Sequence, residues 1–152
     1  MATNLSSVYD LFMMQVTDYR LLELYKTSEE DFENYLEAWL IFSIHDFDNI
    51  CDQSLVFDED TKIFTETLTV ENKVILSTLM MKHWLQKLVN DVTQMNLHIT
   101  DRDFKIASEA QNLREKVSYL NTVKEQCSQL LVDYGFSNVN WDEWNDQIFA
   151  GT

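Results

Sequence analysis

The chain has 152 residues, a length that fits one domain, and its 45% hydrophobic and 12% aromatic content is enough for a packed core rather than a disordered acidic tail. Its 26 acids against 11 bases leave a net charge of −15. That balance argues against ordinary nucleic-acid binding and against docking on an anionic membrane, because both need clustered Lys and Arg.

Two glycines and no proline leave few of the residues that tight turns use, so long helices joined by polar linkers are expected. The charge is uneven: residues 1–66 hold 15 acids and 3 bases, 67–134 hold 8 of each, and 135–152 hold 3 acids and no base. An acidic face of this kind would repel DNA, meet a basic protein patch or mimic DNA.

Ser7-Val8-Tyr9-Asp10 reads as a capping box, and Val8, Leu11, Phe12, Val16, Tyr19 and Leu22 follow at helical spacing. Together they predict a first helix to about Lys26. Ser28 with Glu29, Glu30 and Asp31 starts a second, carried by Phe32, Tyr35, Leu36, Trp39, Leu40 and Phe42 to about His45. Residues 46–67 have short apolar pieces around the polar turn "DEDTK", and both a small hairpin and an irregular loop with a helical turn stay open.

A third helix is predicted from Thr69 to about Met95, apolar over more than half its circumference and therefore central. Thr100 and Asp103 form a capping box for a fourth, stapled by Ile99 and Phe104. It runs to Tyr134, with Gly135 placed to end it in the left-handed conformation. Its seam reads Ile106, Ala110, Leu113, Val117, Leu120, Lys124, Cys127, Leu131, Tyr134, a heptad pattern broken once by Lys124. Such a seam is one side of an antiparallel bundle, or in part a face toward another subunit.

The fold expected is therefore mostly α: a four-helix bundle domain over 1–134 with a long C-terminal helix, followed by a docking tail over 135–152. In the tail Asn140 and Glu143 give another start signal, and Trp141, Trp144 and Ile148 fall on one helical face with Phe149 beside them. A helix this short is unstable alone. It docks on its own bundle, the reading favoured, or on a partner, where Trp anchors at this spacing are the usual hot spots.

Little points to chemistry. Asp46, Asp48, Asp52, Asp58, Glu59 and Asp60 suggest calcium, but neither EF-hand register has its turn glycine. His45, His83 and His98 are scattered, and His83 beside Trp84 reads as a boundary histidine. No nucleophile elbow or glycine-rich phosphate loop is present, so no catalytic residue, cofactor or metal site is expected. Cys51 and Cys127, without CxxC spacing, read as two buried free thiols. "MATNLSSVYD" has no basic and apolar leader, and no apolar run of membrane-spanning length follows, so residence in the cytosol is the expectation. Arg102, Lys105, Arg114 and Lys116 lie among four acids, which makes them candidates for ion pairs between helices or subunits, or plain solvated surface.

The segments "LTVENKVILSTLMMKHWLQKLVND" and "LHITDRDFKIASEAQNLREKV" resemble a family of small α-helical tailed-bacteriophage neck proteins, also called head–tail connectors or adaptors. The residues that carry the likeness are Leu68, Thr69, Glu71, Ile75, Leu76, Leu79, Met80, Trp84 and Leu85, then Asp101, Asp103, Phe104, Lys105, Ser108, Ala110 and Leu113. "VYDLFMMQVTDYRL" and "DFENYLEAWLIFSI" also fit, so the likeness covers most of residues 8–134 and leaves the tail unplaced. The resemblance implies a structural virion protein assembled in the host cytoplasm. It implies rings, often of twelve copies, that dock under the portal and contact adjacent neck or tail proteins. DNA would pass an acidic channel wall without specific binding, and no catalytic residue is implied.

Two rivals stand beside it. One is an acidic inhibitor or DNA mimic that fills a basic protein groove. The other is an enzyme on a helical bundle, which would need a deep pocket around His83 or His45 with two or more carboxylates.

Overall fold

The structure, a computed structural model, describes residues 2–98 and 103–150, with side chains for all of these except 95–98 and 103–110. The elements in chain order are α1 (Ser6–Gln15), α2 (Tyr19–Thr27), α3 (Glu29–Phe47), β1 (Phe57–Asp58), β2 (Ile63–Phe64), α4 (Val70–His98), α5 (Asp103–Ser137) and α6 (Trp141–Phe149). The described residues are mostly helical, with one small antiparallel sheet.

The first predicted helix is two helices. Val16 takes extended backbone, and Asp18 caps α2 by accepting from the Arg20 amide at 2.8 Å. A carboxylate that can hold a backbone amide outside the helix competes well where the neighbours, Val16 and Thr17, are stiff β-branched residues. Ser7 is not the cap of α1. Asn4 does that work: its side-chain oxygen accepts from the Ser6 amide at 3.0 Å, and Ser7 donates back to the Asn4 carbonyl at 2.8 Å. Ser28 does cap α3, accepting from the Asp31 amide at 3.2 Å.

Between α3 and α4 the chain forms the hairpin, Phe57 opposite Phe64 and Asp58 opposite Ile63. Asp58 closes its turn by accepting from the amides of Asp60 (2.9 Å) and Thr61 (2.7 Å). Lys62 sits in the left-handed region (φ 57°) and is held by its ion pair to Glu37 on α3 at 2.7 Å. The N-terminal residues run beside β2, where the Phe64 amide donates to the Thr3 carbonyl at 2.8 Å.

Helix α4 is central, packed against α1, α3 and α5. It buries Ile75, Leu76, Leu79, Met80, Met81, Trp84, Leu85 and Val89 against Phe12 of α1, Leu36, Leu40 and Phe47 of α3, and one stripe of α5. Thr69 caps it by accepting from the Asn72 amide at 3.2 Å. Its buried Ser77 and Thr78 are satisfied by the Val74 carbonyl and by Gln15 at the end of α1. Helix α5 runs antiparallel to it: Cys127 lies against the Thr78 carbonyl, whereas Tyr134, further along, reaches Asp52 beside Asn72 in the first turn of α4.

The α5 stripe differs from the predicted seam. Lys124 is exposed and Val117 is 37% exposed, whereas Val123 is fully buried between Leu120 and Cys127, with Lys116 half-buried a heptad before it. Moving alternate seam positions back by one residue removes the break that Lys124 would have made. The Lys116 stem can lie along apolar surface with its ammonium in water.

Gly135 does not end the helix. No described glycine has positive φ, and α5 continues to Ser137, whose hydroxyl donates to the Tyr134 carbonyl at 2.9 Å. The predicted Thr100–Asp103 box and Ile99–Phe104 staple, and the side chains of Ile106 and Ala110, lie outside the described residues. Of the two free thiols Cys127 is buried but Cys51 only partly so, because Cys51 falls in the loop after α3 rather than on a packed helix face.

Candidate interaction surface

Helix α6 is started by Asn140, whose side chain accepts from the Glu143 amide at 3.4 Å, with Asp142 and Glu143 in the first turn. It contributes no buried residue. Trp141 is 49% exposed, Trp144 53%, Ile148 48% and Phe149 72%. The expected docking of this tail on its own bundle is therefore not what the chain does. The apolar spacing that motivated it is equally that of a helix awaiting another surface. The aromatic rings pack on one another instead: Phe136 stacks on Trp141 at 6.3 Å with nearly parallel planes, and Trp144 meets Trp141 edge-on at 5.8 Å. The result is an acidic, aromatic knob at the end of α5.

A second feature lies where α4 and α5 meet. Lys82, His83, Gln86, Lys124, Cys127, Ser128 and Leu131 line an open groove of about 410 Å³. Asp46 of α3 holds one wall, accepting from Lys82 at 2.5 Å and meeting His83 Nε2 at 2.8 Å. Burial pushes the Asp46 carboxyl up, but the hydrogen bonds and charges of Lys82 and His83 outweigh it and leave it below its usual value. Burial also lowers His83, and Lys82 adds to this, against the opposing pull of Asp46. Phe42 of α3, 53% exposed, lies 5.5 Å from the His83 ring. Lys124 is exposed and has no ion pair among the described residues.

Of the four predicted ion-pairing cations, two have side chains within the described residues. Arg102 and the side chain of Lys105 lie outside the described residues. Arg114 is exposed, Lys116 half-buried, and neither has an ion pair among the described residues. The pairs that form among the described residues are Lys62–Glu37, Lys82–Asp46 and Lys87–Asp91, together with the His83–Asp46 contact. Sequence reading weighed Asp46 only as a calcium ligand and Lys124 only as a break in the seam, and it passed over Lys82. The available signal was a Lys-His pair on a helix predicted to be central, where a cation must find a partner or an edge.

His45 is exposed, and Asp46 is the one carboxylate hydrogen-bonded to His83 among the described residues. Among the described residues no three His, Cys, Asp or Glu are grouped to hold a metal ion, and no helix is long and apolar enough to cross a membrane. Comparison of the chain with protein-family models, with curated proteins and with solved structures finds no match.

Proposed function

We propose that this chain is a structural subunit of a protein assembly, of the kind its sequence resemblance implies: a ring-forming neck or connector protein joining the portal of a tailed-phage head to the tail. The observation that carries the assembly reading is α6. Two tryptophans, an isoleucine and a phenylalanine on a nine-residue helix stay about half exposed or more in the isolated chain. Large aromatic side chains grouped on an exposed helix are the usual anchors of protein interfaces. The resemblance over residues 68–113 supplies the particular assembly, and the acid-rich residues 1–66 suit a wall along which DNA slides without being held. Mass spectrometry of purified virions of the encoding phage tests the reading. The protein is expected at a fixed stoichiometry to the portal, and its absence from intact particles sinks the idea.

The net charge favours a second reading, an acidic inhibitor that occupies a basic protein groove in place of DNA. It fits less well. Asp18 and Asp58 are engaged by backbone amides, and Glu37 and Asp46 by cations, so these acids do not form free rows. It also leaves the aromatic face of α6 without a role.

A further inference from the structure

We infer that α6 of one copy seats in the α4/α5 groove of a second copy of this chain. The inference rests on the assembly reading and names the contact that would join the copies. The two surfaces are complementary in charge. Helix α6 has Asp142, Glu143 and Asp146 and no base, whereas the groove presents the exposed ammonium of Lys124 beside Lys82, which Asp46 holds, and a His83 whose lowered pKa leaves it a neutral hydrogen-bonding ring. In a chain of net charge −15, 8 of the 11 bases fall in residues 67–134, so this hairpin of α4 and α5 is where an acidic segment meets least repulsion.

Within the groove the charges differ in availability. Lys82 is already held by Asp46, but Lys124 is exposed and lacks an ion pair among the described residues. The surfaces also match in apolar character. The half-buried Leu131 and the buried Cys127 line the groove, and the exposed Phe42 packs against the ring of its lining residue His83. Trp141, Trp144 and Ile148 would have aliphatic and aromatic surface to cover there. The groove of the same chain is not filled by its own α6, which is exposed along its whole length. Because the donor helix and the acceptor groove are different patches, each added copy presents one of each, which is how heterologous contacts build rings.

Sedimentation velocity of the full chain over a concentration series tests the contact. The variants are Trp141→Ala with Trp144→Ala, Lys124→Glu, and lysine at Asp142, Glu143 or Asp146, each alone and combined with Lys124→Glu. All of these positions are exposed, so thermal midpoints should match the parent and folding should not confound the comparison. The parent is expected to self-associate. The double Trp variant should weaken association by about thirtyfold or more, and Lys124→Glu by about tenfold. At least one acid-to-lysine change should restore association to the Lys124→Glu chain while weakening the parent.

Association that survives both the Trp pair and Lys124→Glu overturns this contact and leaves the assembly reading standing on another surface. A chain that stays monomeric overturns it too, as does Trp burial in a monomer, which would mean that α6 closes on its own groove. The assembly reading falls separately, by absence of the protein from virions.

Discussion

Tyr134 ties together segments 82 residues apart. Its hydroxyl donates to the Asp52 carboxylate and accepts from the Asp52 amide at 3.1 Å, while its ring packs edge-on against Phe47 at 5.0 Å. Burial above all, with the Asp52 carboxylate, pushes the hydroxyl up to about 12 against the opposing effect of the Asp52 amide. In the unfolded chain a tyrosine titrates near about 10. Between these values the unfolded chain has lost the proton that the folded one keeps, so stability falls as pH rises from about 10 to about 12. Tyr134→Phe should remove that part of the alkaline loss. At neutral pH it should cost roughly 1 kcal/mol, below the usual range for a hydrogen bond to a charged group, because the exposed Asp52 regains water. Urea melts at pH 7 and across pH 9.5–11.5 measure both effects. A variant with the parent's full alkaline slope would mean the hydroxyl is not held in this way.

At the scale of elements, the helices whose caps are local were legible. Ser28 and Asn140 each accept from the backbone amide three residues on, as their spacing implied, and Thr69, where the third helix was expected to begin, does the same. The break at Val16–Asp18 was not legible, because Tyr19 and Leu22 continue the helical spacing of Val8, Phe12 and Val16, yet both are exposed and Leu21 is the residue that α2 buries. The α5 stripe shows the same limit more sharply. A heptad seam can be drawn through Val117 and Lys124 or, one residue earlier, through Lys116 and Val123, and only packing against α4 decides. The two registers differ in a measurable way. Val123→Ala, at a fully buried position, should cost about 1–3 kcal/mol, whereas Val117→Ala, at 37% exposure, should cost well under half as much. Chemical denaturation of the two variants side by side checks it. Equal costs, or the reverse order, would put α4 against the other stripe.

Across the whole molecule, core and tail are separable. The core joins α1, α3, α4 and α5 through buried apolar side chains, whereas α6 adds none. The spacing of Trp141, Trp144 and Ile148 could not distinguish a tail folded back on its bundle from one that faces outward, since both need the same apolar face. Stability can distinguish them. A chain ended at Asn140 loses the stack of Phe136 on Trp141 but no buried residue of α6, so its unfolding free energy should change by no more than about 0.5 kcal/mol. The slope of unfolding with denaturant should stay the same, because little surface covered in the folded state has been removed. On the proposed neck-protein reading, the same truncated chain, supplied in place of the full one during phage growth, should fail to enter particles. Marked destabilisation would place α6 among the supports of the core, and normal incorporation would remove the tryptophan pair from the partner surface. A chain that folds as before and no longer assembles is the outcome expected of a helix made for another molecule.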